Sequence, residues 1–243
     1  MSAKIMFVFL CVLGLNIYTH AHIVAYTNGR MSQQQLSNGE LLTFDKQITT
    51  INAIFDDSIG RFVCSVAGLY AFHFYAISQS GSPLWLELYK NNNYVVSIFG
   101  RTPGDYADAG NSVFLNLVKD DIVYIKAHDQ YKSTIFGAAD QVYTTFTGIL
   151  LSGENTADSF SVGLGHSVSL ASAQRVIYDS IITVSNYASY DRTTGTFTAS
   201  FSGIYIFHYY ALATADQELW LDLYYNDQYI NSAYGKTPND YAT

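Results

Sequence analysis

Proline, cysteine and charge are all scarce in this chain. Three Pro and two Cys stand among 243 residues, too few for a proline-rich spacer or a disulfide framework. Charged side chains are 13% of the sequence, which excludes a polymer kept unfolded by its own charge. Cations are the scarcer sign: 12 Lys plus Arg stand against 20 Asp plus Glu, for a net charge of −8. Nucleic acid and anionic membranes both demand a basic surface, so neither is an expected partner. No Gly-X-Y run occurs, so a collagen stalk is not expected, and no Asn-x-Ser/Thr sequon occurs, so N-glycosylation is not expected. What the chain does have is apolar and aromatic mass, with 49% hydrophobic residues including 21 Tyr and 15 Phe.

At the amino end Lys4 precedes an apolar run from Ile5 to Leu15, and Thr19-His20-Ala21 offers small residues before a cut. This pattern reads residues 1–21 as a secretory signal peptide and the protein as secreted and extracellular. The run is about 11 residues where a membrane span needs about 20, and nothing later is longer, so no membrane span is expected. Cleavage removes Lys4 and Cys11 and leaves Cys64 as the one cysteine. A lone cysteine is either buried or available to another chain. The strand phase that sets Cys64 with Phe62 and Val66 favours burial.

The sequence repeats with a shift of 135. Phe62 to Ala107 aligns without a gap on Phe197 to Ala242, and about 22 of these 46 positions are identical, among them Trp85/Trp220, Asn91/Asn226, Pro103/Pro238 and Tyr106/Tyr241. A period this long marks duplicated domains, since solenoid units run about 20 to 50 residues. Apolar stretches at 48–55, 61–66, 69–77, 84–90, 94–99, 112–118, 121–128 and 142–151 are parted by turn residues, and none has a helical period. Leu84, Leu86 and Leu88 alternate with Trp85, Glu87 and Tyr89, as in a strand with one buried face. Asn91-Asn92-Asn93 then supplies a hairpin turn. The fold class is all-β, of the size of a two-sheet sandwich or jelly roll.

The string Phe55-Asp56, Gly60-Arg61-Phe62, Cys64, Gly68-Leu69-Tyr70-Ala71-Phe72, Leu115, Leu117, Asp121, Val123 and Phe146-Thr147-Gly148-Ile149-Leu150-Leu151 resembles the globular head of complement C1q. The resemblance implies a ten-strand jelly-roll sandwich of the C1q and tumour necrosis factor type, assembled as a homotrimer. It divides the chain into head 1 at 26–152, a linker at 153–159, and head 2 at 160–243. By the repeat, this second copy is incomplete and lacks its last three strands. One departure is Asp120, where the family has glycine, so the turn before Asp121 must use Asp. Phe62, Gly68, Tyr70, Phe72, Phe146 and Gly148 read as structural core.

No Gly-x-Ser-x-Gly elbow occurs, Gly163-Leu164-Gly165 lacks a third glycine, and His73 and His208 have no second ligand at metal spacing. No enzymatic activity and no required cofactor are expected. The loop Arg101-Thr102-Pro103-Gly104-Asp105-Tyr106-Ala107-Asp108-Ala109-Gly110-Asn111 is repeated in part at 236–242. Its Arg101, Asp105, Tyr106, Asp108 and Asn111 are the candidate ligand-binding residues, with Asp105 and Asp108 as calcium candidates; turn geometry alone also accounts for the composition. The leading functional reading is pattern recognition in innate immunity, in which multivalent heads bind carbohydrate on surfaces or microbes. The alternatives are an extracellular structural or signalling ligand for a protein receptor, and an acidic calcium carrier. Residues 158–243 alone should lack a cooperative urea transition by circular dichroism, because the missing strands would leave an unpaired interior.

Overall fold

In the computed structural model, residues 23–153, 159–185, 189–202 and 204–236 are described, together with the backbone of 2–12. All described elements are strands. The first is β1 (Ser2–Val12). Head 1 follows with β2 (Ala25–Arg30), β3 (Gln34–Leu36), β4 (Lys46–Ile51), β5 (Ile54–Asp56), β6 (Arg61–Val63) and β7 (Gly68–Ile77), then β8 (Leu84–Lys90), β9 (Asn93–Gly100), β10 (Asp108–Leu117), β11 (Ile122–Ala127), β12 (Ser133–Ile135) and β13 (Thr144–Ser152). Head 2 carries β14 (Phe160–Gly163), β15 (Val168–Ser169), β16 (Ser180–Val184), β17 (Ser189–Asp191), β18 (Thr196–Thr198), β19 (Ile204–Ala213), β20 (Glu218–Tyr225) and β21 (Gln228–Lys236).

Head 1 is a jelly-roll sandwich of two antiparallel sheets. One runs β10, β7, β13, β2, β4 and the other β5, β6, β11, β8, β9, with the small pair β12 and β3 at one end. Leu84, Leu86 and Leu88 are fully buried on the core side of β8, while Trp85 and Tyr89 lie on the opposite, partly exposed face. Between the sheets, Tyr26, Phe62, Phe72 and Phe146 are buried completely or nearly so and lie in ring contact. Burial of each such side chain stabilises by roughly 1.5–3 kcal/mol. Head 2 repeats the arrangement, with Phe160 stacked on Tyr190 and Phe197 as Tyr26 meets Phe55 and Phe62.

Three strands escape the alternation pattern. Ala25–Arg30, Gln34–Leu36 and Ser133–Ile135 are polar, and their neighbours determine their pairing. Asn28 and Arg30 are even buried, because β2 lies between β13 and β4. The stretch expected as one strand at 48–55 is two, parted at Asn52 with its φ of 50°. The hairpin turn is made by Asn91 and Asn92 at φ 48° and 67°, and Asn226 and Asp227 repeat it at 47° and 62°. Asp120 adopts a φ of 73°, the left-handed conformation that the family's glycine would hold at lower cost.

Head 2 has counterparts of β2 through β9, and among the described residues none of β10 through β13. The slot that β13 fills between β7 and β2 is filled in head 2 by β1, which pairs with β19 and β14. An apolar segment read as a leader thus supplies the missing central strand in this structure. The two heads meet head to tail. Head 1 offers the edge of β10, where the Phe114 N–H donates to the Ser161 hydroxyl of head 2 at 3.0 Å. Ser180 to Val184 of β16 line an open cleft opposite Lys90, Asn91, Asn93 to Val95, Leu115 and Asn116. Across this seam, positions related by the repeat touch: the Tyr75 and Tyr210 hydroxyls are 3.2 Å apart and the His73 and His208 ring centroids 5.5 Å apart.

Gly60 has a φ of 64°, and a Cβ there would lie 1.9 Å from the Leu42 carbonyl oxygen. Gly60→Ala should therefore cost more than about 2 kcal/mol in urea unfolding, whereas Asp120→Gly, which relieves a left-handed residue without a clash, should be neutral or stabilising by up to about 1 kcal/mol.

Candidate functional site

The structure separates the residues that the sequence groups in one loop. Arg101, Asp105, Tyr106 and Asp108 are exposed. The Asp105 carboxylate accepts the Tyr106 N–H at 2.8 Å, and Tyr106 packs edge-on against Phe136 with centroids 5.0 Å apart. Asn111 is not on the loop. It lies within β10 and is buried, its Nδ2 donating to the Ser97 carbonyl at 3.0 Å while its Oδ1 accepts the Ser112 N–H. Strand pairing with β7 pulls it into the sheet, Asn111 opposite Phe74, and its amide is spent there. Among the described residues no three His, Cys, Asp or Glu side chains gather as a metal site, so Asp105 and Asp108 have no third such ligand. The repeated loop at 237–242 lies outside the described residues, as does most of the linker.

Beside that loop is an open groove of about 730 Å³ that the sequence reading does not identify. Its walls are Gln33, Gln35 and Asn38 from one side, Gln79 to Pro83 from another, and Gln130, Tyr131, Lys132 and Thr134 from the third. The local structure explains why these side chains converge. Asp45 accepts the N–H groups of Met31 and Ser32 at 2.7 and 2.9 Å and so holds the turn that presents Gln33. Its neighbour Arg30 donates to the Thr43 carbonyl at 2.9 Å. Burial alone would raise the Asp45 carboxyl, but these donors and the Arg30 guanidinium bring it below the usual carboxylate range. Gln34, between two outward glutamines, turns back to donate to the Leu41 carbonyl and accept the Thr43 N–H. The Gln79 N–H donates to the Thr134 carbonyl at 2.7 Å, which ties the second wall to the third.

Tyr131 stands at the rim, 43% exposed. Its ring lies 4.7 Å from that of Trp85, and His128 packs on the same indole at 4.0 Å. The Gln130 N–H donates to His128 Nδ1, which fixes the turn that carries Tyr131. The acidic loop supports this groove from behind without lining it: the Gly81 N–H donates to the Asp105 carbonyl at 2.8 Å and the Ser80 hydroxyl to the Gly104 carbonyl at 3.0 Å. The result is an aromatic platform beside amide and hydroxyl groups that both donate and accept. A signal for it does exist in the sequence, in the Gln and Asn clusters of three turns, but nothing local shows that those turns meet.

The buried carboxylate of Asp121 serves the fold. Asp121 pairs with Lys90 at 2.9 Å and accepts the Val118 N–H at 2.9 Å. Burial would raise its carboxyl, and these partners with Asn91 lower it instead. Phe62, Tyr70, Phe72 and Phe146 are fully buried, and at Gly148 a Cβ would lie 2.4 Å from the Tyr26 ring. At Gly68 it would lie 2.3 Å from the Ser152 carbonyl oxygen.

The two facing antiparallel sheets and their connecting loops define a class of fold, the jelly-roll sandwich. The family is then settled by sequence: the C1q domain model matches residues 25–151 and 159–242, and the chain belongs to that family. Similar solved structures include the globular domain of zebrafish complement 1qA protein, at 24% identity and a TM-score of 0.46, covering 54% of this chain and 99% of that one. The Eiger TNF of S. frugiperda matches at 8% identity and a TM-score of 0.47, covering 63% and 99%. Murine APRIL matches at 7% and 0.41, covering 53% and 99%. No helix among the described residues is long and apolar enough to cross a membrane.

Cys64 is buried, its Sγ 3.1 Å from the Val66 carbonyl, and burial pushes its thiol up. In native protein it should react with Ellman's reagent at least about a hundredfold more slowly than in urea, since the thiolate is the reactive form.

Proposed function

We propose that this C1q-domain protein is a recognition protein whose first head binds polyhydroxylated ligands, such as glycans on a microbial or cell surface, in the amide-lined groove. The observation that carries the reading is the convergence of Gln33, Gln35, Asn38, Gln79 and Gln130 beside the exposed ring of Tyr131. Sugar hydroxyls each donate and accept, and neutral amides meet both needs without the desolvation cost of a charge. The apolar face of a sugar ring suits an aromatic platform. Lys132 at the rim adds one cation for acidic sugars.

Such a shallow site binds weakly alone, and assembly of several heads supplies avidity. Homotrimerisation, implied by the family resemblance, would set three grooves on one particle. The absence of a gathered triad of metal ligands among the described residues favours direct recognition over a calcium bridge at Asp105 and Asp108. A protein receptor is the second reading. Trp220, Tyr224, Tyr229 and Tyr234 on the β20–β21 hairpin are more than half exposed, and exposed aromatics of this kind are enriched at protein interfaces.

The groove reading is tested on a glycan array and by retention on microbial cells, using the full chain. Tyr131→Ala should weaken binding by about tenfold, the loss of about 1.4 kcal/mol for one stacked ring, and Gln79→Ala by a smaller factor, with urea midpoints unchanged. Retention that is insensitive to both substitutions and to free sugar would overturn it. Loss of retention in Asp105→Ala plus Asp108→Ala together with chelator sensitivity would favour calcium instead.

A further inference from the structure

The seam between the heads holds a pair of histidines that neither the core nor the groove uses. We infer that this seam is an acid-sensitive joint, in which protonation of His73 and His208 separates the two heads while each keeps its fold. Three observations carry the inference. The two imidazoles come from equivalent positions of β7 and β19 and face each other with centroids 5.5 Å apart. The contact around them is made by β10 and β7 of head 1 on β14, β16 and β19 of head 2. And among the described residues no carboxylate lies opposite either ring to receive an imidazolium.

That last point follows strand by strand. Opposite His73 stand Ser112 on β10 and Thr147 on β13, with Thr27 next to Thr147 on β2. Tyr75 and Tyr210 are the neighbouring titratable groups, joined through their hydroxyls, and Tyr210 also lies beside Ser112. From head 2 come Ser161 on β14 and its register partner Thr183 on β16. Strands β7, β13, β14, β16 and β19 contain no charged residue. Asp108 at the start of β10 pairs with Ile77, Arg30 ends β2, and Lys46 begins β4. On β1 the position opposite His208 is Val8, while Lys4 and Cys11 stand opposite Leu212 and Tyr205.

A charge placed on either ring would therefore be desolvated and, once both are charged, repelled by its twin. Burial and the second imidazole hold His73 down at about 4, and burial lowers His208 as well. An open seam returns both rings to water, where histidine titrates near 6.5. The closed state thus binds fewer protons than the open state between about pH 6.5 and about 4. The seam is fully stabilised above this window and weakens as pH falls through it, by up to about tenfold in the opening constant per pH unit for each histidine.

The experiment is small-angle scattering of the full chain from pH 7.5 to 4, with near-ultraviolet circular dichroism on the same samples. A reversible rise in radius of gyration inside the window, with the aromatic dichroism of the cores retained, is the expected result. The double variant His73→Gln plus His208→Gln should stay compact throughout. A wild-type chain that stays compact to pH 4, a rise that coincides with loss of core dichroism, or the same transition in the double variant would overturn the joint. Should the double variant fail to fold, proton NMR of the wild-type imidazoles decides: His73 and His208 must titrate below the ordinary histidine value of about 6.5, and titration of both at that value in a compact protein overturns it.

Discussion

The stacking of aromatic rings between two sheets is the constraint on which the rest of this protein depends. Tyr26, Phe62, Phe72 and Phe146 come from four strands and two sheets, and their contacts fix both sheet spacing and strand register. A one-residue slip in any of these strands would turn an aromatic ring outward and a flanking residue such as Thr27, Arg61, His73 or Thr147 inward. Gly148 exists in this setting because the Tyr26 ring occupies the space a side chain would need. In head 2 the same role falls to Phe160, Tyr190 and Phe197.

With the core fixed, the end loops have defined positions, and the groove is made of them. Its walls are held by backbone hydrogen bonds, by hydroxyls such as that of Ser80 and by the exposed Asp45 carboxylate, which leaves glutamine side chains to face solvent. The division of labour is visible within three consecutive residues, where Gln34 satisfies the backbone and Gln33 and Gln35 line the groove. The same division separates Asn111, consumed within β10, from the exposed loop it follows in sequence.

The seam shows how a sandwich manages its edges. Strand β10 ends one sheet of head 1 and would leave outward N–H groups bare; head 2 covers that edge, with Ser161 accepting from Phe114. Such covering is a general protection against uncontrolled strand pairing. With head 2 on that edge, Ile48 and Ile51 of β4, the opposite edge of the same sheet, each remain more than two-fifths exposed.

Much of this architecture was legible in the sequence. The alternation at Leu84 to Tyr89, the turn at Asn91-Asn92, the left-handed residue at Asp120 and the duplication with its shift of 135 are all local or self-comparative signals, and one chain contains them in full. The polar strands at 25–30, 34–36 and 133–135 were not legible, because their partners rather than their own periodicity determine their pairing. Nor was the groove, whose three walls lie more than forty residues apart in the chain and meet only when the two sheets close. By itself the sequence determined the fold class, the repeat and the identity of the core, since these rest on side-chain volume and backbone preference. Tertiary structure alone decided which polar residues stay free to bind and which histidines face each other, since both depend on distances that no local pattern encodes.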